Sequence, residues 1–226
     1  MAMPSTPLAI IGGTGALGRG LALRALRHGI PVCIGSRAAE KAQAVAEELR
    51  QEIAGAEVTG ASMAAAAAAG ELLAVTVPFA AQLETLRTIR EAARGKIVLD
   101  ATVPLVPPRL ARVQLPPEGS AAVRAQQELG PDVRVVSALH TVAATRLGSD
   151  AAAEEIGDVL VFGDDKASRD TVVALLVRMD LTALHGGSLA NSAAAEAFTS
   201  VLIFLNKHYH AEHAGLRVTG IRTRPP

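Results

Sequence analysis

In 226 residues the chain has one cysteine, no tryptophan, one tyrosine and four phenylalanines, and its 22 basic side chains are cancelled by 22 acidic ones. Each scarcity removes a class of protein. One cysteine cannot build a disulfide framework; Cys33 lies in a short apolar segment, where it reads as a small buried residue, and the chain suits a reducing cytoplasm. A net charge of zero without a basic run gives no footprint for tracking a phosphate backbone, and so few aromatics leave little on which bases could stack, so no nucleic-acid partner is expected. No segment reads as a membrane span, and the first residues lack the charged and apolar regions of a signal peptide. The sequence therefore predicts a soluble, cytoplasmic protein without membrane contact, whose partners are small molecules.

What is present begins at Leu8 to Ile11, an apolar run that reads as a strand. It leads into Gly13-Thr14-Gly15-Ala16-Leu17-Gly18, which fits G-x-G-x-x-G. In that motif the first glycine permits the tight turn, the second lets backbone approach a pyrophosphate, and the third lets the helix pack on the strand. Leu17, Leu21, Ala22, Ala25 and Leu26 then recur at helical spacing until Gly29, so the turn opens a helix whose N-terminal N–H groups and dipole favour an anion. Pro31 to Ile34 closes a βαβ unit. A carboxylate at the end of this second strand would hold the ribose hydroxyls of NAD. Here the residues are Gly35, Ser36 and Arg37, followed by Lys41, which suit the 2′-phosphate of NADP through a hydroxyl, a planar fork and a second cation.

The pattern continues as a helix over Glu40 to Ile53, a strand at Glu57 to Thr59 and an alanine helix from Ser62 to Gly70. A strand over Leu72 to Val77 is closed by Pro78 and Phe79; a helix from Ala80 to Ala93 and a strand from Lys96 to Leu99 follow. Near-continuously apolar strands alternating with helices specify an α/β fold, a doubly wound parallel sheet of the Rossmann type, with ligands outside the carboxyl ends of the strands. The loops at Gly13, Gly35, Thr76 and Asp100 should therefore converge. Five prolines between Pro104 and Gly119 mark a loop. A helix from Ser120 to Leu129 and a strand from Val133 to Ser137 follow. A smaller C-terminal α/β extension has strands at Val159 to Phe162 and Leu181 to Leu184 around a helix from Lys166 to Met179, and ends in a long helix from Ala190 to Glu212. The predicted division is a nucleotide-binding domain over 1–137 and a smaller domain over 138–226. Gly163, Asp164 and Asp165 read as a turn and helix cap rather than a metal clip, and His208, His210 and His213 do not share a helix face, so no metal site is expected.

Several separated motifs together resemble one family, the NADPH-dependent reductases of the deazaflavin coenzyme F420. They are Gly12 to Gly18, Gly35-Ser36-Arg37 with Lys41, Thr76-Val77-Pro78, Ser137 to Thr141 and Asn191-Ser192, spread over nearly the whole chain. The resemblance implies NADP(H) and F420 as cofactors, with Thr14 to Leu17 on the pyrophosphate and Ser36, Arg37 and Lys41 on the 2′-phosphate. It places Phe79, Leu83, Val103, Ala144 and Leu216 around the rest of NADP and the facing ring, and His140 and Val142 at the deazaflavin. Phe79 and Ala143 depart from the family pattern, which has Trp and Pro there. The implied reaction is a direct hydride transfer in which the cofactors carry the electronic work, and the absence of any recognisable Ser/His/Asp, Cys/His or paired-carboxylate spacing agrees with it. His140 is then an orienting group and not an acid or base. Two other readings stay open: an NADP-linked reductase of another small substrate, and a non-enzymatic NADP sensor. The apolar C-terminal helix suggests a homodimer.

Overall fold

A computed structural model describes residues 6–221, so the first residues, where no signal peptide is expected, lie partly outside the described chain. The elements are β1 (Leu8–Ile11), α1 (Ala16–Arg27), β2 (Val32–Ser36), α2 (Ala39–Glu52), β3 (Val58–Ser62), α3 (Met63–Ala69), β4 (Leu72–Val75), α4 (Gln82–Ile89), β5 (Ile97–Asp100), α5 (Ala121–Leu129) and β6 (Arg134–Ser137). They continue as α6 (Ala144–Leu147), α7 (Ala153–Ile156), β7 (Asp158–Gly163), α8 (Lys166–Arg178), β8 (Thr182–Gly187) and α9 (Ser192–Tyr209). All strands join one sheet in the order β3-β2-β1-β4-β5-β6-β7-β8. The first six run parallel and reverse their winding at β1/β4, the Rossmann arrangement.

Alternation within the strands builds the two core layers. Leu8 and Ile10 of β1, with Leu72 and Ala74 of β4, face the layer covered by α1, α2 and α8. Ala9 and Ile11, with Leu73 and Val75, face the layer under α3, α4 and α5. Ile10 and Ile11 are fully buried, and removing each side chain from water stabilises the fold by about 1.5–3 kcal/mol.

Three features differ from the sequence expectation. The two C-terminal strands do not extend the parallel array: Ser137 of β6 pairs with Phe162 of β7 in antiparallel register, and β8 then lies parallel to β7. The link between β6 and β7 carries only the four-residue helices α6 and α7, and the chain re-enters the sheet beside β6 without the long crossover helix that usually joins parallel strands. Second, α4 ends at Ile89 rather than Ala93 and is preceded by a 3-10 turn over Phe79–Ala81. Third, α9 stops at Tyr209 because His210 is left-handed (φ 53°), and the Asn206 side chain accepts the N–H of Ala214 at 2.8 Å. The helical segment Leu189–Tyr209, 21 residues containing an 18-residue window of mean hydropathy 1.2, is long and apolar enough by length and composition to span a bilayer, so the expectation that no segment approaches a span is corrected. It nevertheless carries the buried Ser192, Glu196 and Ser200, which face protein and not lipid.

The C-terminal strands are tied to the nucleotide-binding half by Arg24 of α1. Arg24 is 3% exposed, and its guanidinium donates to the carbonyls of Met179 (2.7 Å), Asp180 (2.8 Å) and Ala151 (3.2 Å), closing the end of α8. Asp165 caps the start of α8 through the N–H of Ser168 at 2.7 Å, the turn-and-cap role read from the sequence.

Candidate functional site

The backbone ladder runs past the strand ends and gathers four loops. Gly12 donates to Gly35 at 2.9 Å, Thr76 to Ile11 at 2.9 Å, Ala101 to Val75 at 3.0 Å and Ala138 to Asp100 at 3.3 Å. The convergence expected at Gly13, Gly35, Thr76 and Asp100 is thus made by main-chain bonds.

Within the glycine turn the roles divide differently from the motif reading. The left-handed residue is Gly12 (φ 88°), not Gly13, and a Cβ on Gly12 would stand 2.6 Å from Val77 Cγ1. Gly13 is instead a packing glycine, where a Cβ would press on Ile34 and the Ile10 carbonyl at 3.0 Å. The tight bend belongs to Gly12 because β1 must turn directly over β4 to reach α1. Gly18 packs as expected: a Cβ there would lie 2.6 Å from both Gly13 Cα and Thr76 Oγ1. Gly20, outside the motif, has the same function against the C-terminal segment, since a Cβ would lie 2.7 Å from the Ala144 carbonyl of α6. No side chain caps α1, so the N–H groups of its first turn, Ala16 to Gly18, are directed at whatever lies in front of it.

In front lies a cavity of about 540 Å³. Gly12, Thr14 and Gly15 form its floor, Ser36, Arg37 and Lys41 one wall, and Thr76, Val77 and Pro78 another; Met63 and a stripe of α4 complete it. Ser36 is the buried last residue of β2, while Arg37 and Lys41 are exposed and neither forms an ion pair among the described residues. Two free cations and a row of amide donors make a site for phosphates.

Phe79, Leu83, Val103, His140, Val142, Ala144 and Leu216 do not line this cavity. Val103 is half-buried just beyond β5, and Leu83 half-buried on α4. His140 follows Leu139, a left-handed residue (φ 71°), and its Nε2 lies 2.8 Å from Ser137 Oγ, while its carbonyl accepts from Thr199 of α9 at 2.9 Å. Burial pushes the imidazole down to about 4, so the ring is neutral at neutral pH. Val142 is buried beside it; Ala144 opens α6 and meets Gly20. Leu216 accepts the Asp158 N–H at 2.7 Å, and its neighbour Gly215 approaches the Thr141 carbonyl, so the tail returns to the same strand ends.

A buried polar network, which the sequence did not reveal, supports the loop at Phe79. Gln82 donates to Asp100 (2.6 Å) and to the Ala121 carbonyl (3.0 Å), and its oxygen accepts from Arg124 at 2.7 and 2.9 Å. Arg124 also donates to the Phe79 carbonyl at 3.1 Å and lies 3.8 Å over the Phe79 ring. Desolvation raises the Asp100 carboxyl to about 7. Glu196 of α9 accepts the N–H groups of Ala121 (2.6 Å) and Ala122 (3.1 Å) at the start of α5, and burial raises its pKa also. The signal for Glu196 was its position: a lone carboxylate in an otherwise apolar helix requires an interior partner.

Fold and cavity together define a dinucleotide-binding protein of the Rossmann class, with a cationic wall at the end of β2. The chain belongs to the F420-dependent NADP reductase family. A family profile described as NADP oxidoreductase coenzyme F420-dependent matches residues 7–104. An F420-dependent NADP reductase of Methanothermobacter thermautotrophicus is 38% identical over 223 residues, 95% of this chain and 95% of that protein. The F420-dependent NADP reductase of Methanocaldococcus jannaschii is 34% identical over 222 residues, 95% of this chain and 98% of that protein. Among solved structures, a candidate F420-dependent NADP reductase from Arthrobacter sp. FB24 superposes with a TM-score of 0.78 at 27% identity, covering 96% of this chain and 100% of that one. A pyrroline-5-carboxylate reductase from Coxiella burnetii, at 15% identity and a TM-score of 0.61 over 91% of this chain and 69% of its own, shares the fold alone.

Proposed function

We propose that the protein catalyses reversible hydride transfer between NADPH and coenzyme F420, NADPH + F420 + H⁺ ⇌ NADP⁺ + F420H2. The observation that carries this reading is the single cavity joining the glycine turn to the unpaired Arg37 and Lys41, supported by the relatives of that name over 95% of the chain. Gly15 fits the proposed ligand, since a Cβ there would meet only the Gly12 carbonyl at 3.4 Å: the protein leaves that backbone open. Thr14 to Leu17 bind the pyrophosphate; Ser36, Arg37 and Lys41 bind the 2′-phosphate. The nicotinamide end is directed past Thr76, Val77 and Pro78 toward Phe79, Leu83, Val103, Ala144 and Leu216.

When bound, the two cofactors supply the chemistry themselves, a hydride passing between nicotinamide C4 and deazaflavin C5. The chain holds the reacting carbons close in a site that excludes water. The residues beyond 137 form the smaller unit that completes the deazaflavin site, with His140 and Val142 at the ring. A neutral His140, fixed by Ser137 and Thr199, can orient a polar group of that ring without exchanging a proton.

Purified protein given NADPH and oxidised F420 should bleach the F420 absorbance, and deuterium from nicotinamide C4 should appear at C5 of F420H2. His140→Asn should lower turnover by only about tenfold, the size of one orienting hydrogen bond, whereas loss of an obligatory acid or base costs about 10²–10⁴. Deuterium lost to solvent contradicts direct transfer. Tight NADPH binding without any bleaching favours the sensor, and turnover of an imine or ketone instead of F420 favours the other reductase.

The protein is further proposed to act in the cytoplasm as a homodimer, without nucleic-acid or membrane partners. Only 33% of the apolar window of the C-terminal helix is buried, and Val201, Phe204 and Tyr209 are exposed on α9 beside the proline-rich loop with its exposed Val106, Leu110, Val113 and Leu115. A second copy covers such a face. Phe204→Glu should shift the protein from dimer to monomer in sedimentation; an unchanged mass would place the contact elsewhere.

A further inference from the structure

Building on the dinucleotide reading, we propose that Glu84 of α4 reads the base of the bound nucleotide, accepting a hydrogen bond from the exocyclic amine of adenine. The walls of the cavity leave this contact over. The glycine turn holds the pyrophosphate, and Ser36, Arg37 and Lys41 hold the phosphate on the adenosine ribose. The base is attached to that same ribose, so it lies at the Arg37 wall of the cavity, away from the wall of Thr76, Val77 and Pro78 past which the nicotinamide is directed. The remaining polar wall there is the α4 stripe of Glu84, Thr85 and Thr88, residues that share a helix face by their spacing.

Of these three, Thr85 is buried, and the Thr88 hydroxyl already donates to the Glu84 carbonyl at 2.9 Å. The Glu84 carboxylate is exposed and has no ion pair or side-chain hydrogen bond among the described residues. A carboxylate only accepts hydrogen bonds. Facing a ligand that carries three phosphates it is repulsive, unless the ligand offers it a donor. The adenine amine is the donor on that edge of the base, whereas hypoxanthine carries a carbonyl oxygen at that position and its donor on the adjacent ring nitrogen, so a carboxylate placed to meet the amine faces lone pairs. Glu84 therefore makes the site selective for adenine over a deaminated base, independently of the 2′-phosphate contacts that separate NADPH from NADH.

The test is fluorescence titration of the full chain with NADPH and with its hypoxanthine analogue. Wild type should bind the analogue about tenfold more weakly, the scale of one contact to a charged acceptor lost and an unpaired oxygen gained. Glu84→Gln, whose amide can accept from the amine or donate to the carbonyl, should bring the two within about threefold. Glu84→Ala should weaken NADPH by about tenfold and remove the preference. Equal binding of both dinucleotides by wild type, or a preference that survives in both variants, overturns the assignment. So does an equal loss for both dinucleotides in Glu84→Ala, which places the carboxylate on a ribose hydroxyl. Failure of wild type to bind NADPH at all would sink the dinucleotide reading itself, an outcome distinct from equal binding of the two.

Discussion

Replacing Gly15 by valine should leave a folded protein that no longer binds NADPH. In the ligand-free chain the position tolerates a side chain. Its backbone (φ −82°, ψ 167°) is extended and open to any L residue, and a Cβ would come no closer than 3.4 Å to the Gly12 carbonyl. The added isopropyl group instead fills the space through which a pyrophosphate reaches the first turn of α1. The neighbouring glycines provide the contrast. A Cβ on Gly18 would strike Gly13 Cα and Thr76 Oγ1 at 2.6 Å, so Gly18→Val should cost stability as well, about 1–3 kcal/mol of overpacking. Thermal melting of Gly15→Val should stay within a few degrees of wild type while calorimetry reports NADPH affinity down by about a hundredfold or more. A folded Gly15→Val with unchanged affinity would make the turn a structural bend only.

Arg37→Ala should weaken NADPH by about ten- to a hundredfold and leave NADH nearly unaffected. The lost term is a charge-assisted hydrogen bond to an oxyanion, on the order of 1.5–3 kcal/mol. Arg37 is exposed and engaged in no ion pair among the described residues, so its removal breaks no contact seen there, and the loss is read in binding alone. Lys41, a turn further along at the start of α2, also lines the cavity and softens the effect. Equal losses for the two cofactors, measured side by side in one buffer, would remove Ser36, Arg37 and Lys41 from the 2′-phosphate. Raising the salt concentration should narrow the gap between NADPH and NADH, since contacts at an exposed site are screened.

Contiguous stretches made half of this site readable from the chain alone. The β1 strand, the glycine turn and the start of α1 lie within Leu8 to Gly18, and the cation pair lies within six residues of Ser36. A motif of this length carries its own geometry, because backbone conformation and helix polarity are local properties. The apolar strand runs likewise fixed the order of elements and the sheet's two covered faces through β6.

Other features depended on which distant segments the sheet brings together. Gln82 meets Asp100 and Arg124 across 18 and 42 residues, and Glu196 reaches the start of α5 across 75. In the sequence Gln82 and Arg124 are ordinary polar residues on helices, and Glu196, though its apolar helix calls for an interior partner, gives no sign of which segment supplies it until register is known. The same holds for Glu84 and Thr88, whose spacing gives a polar stripe but not the cavity it borders. Gly12 bears the left-handed bend, and Val77, just past β4, leaves no room there for a Cβ, a fact of how β4 lies beside β1. The antiparallel β7 likewise follows from how the short helices α6 and α7 turn the chain back. The sequence by itself determined the phosphate turn, the 2′-phosphate cations and the doubly wound half of the sheet, all set by local patterns. Only the tertiary structure decided the α4 wall, the buried carboxylate network and the reversed edge, because these are contacts between segments whose spacing in the chain carries no record of their distance in space.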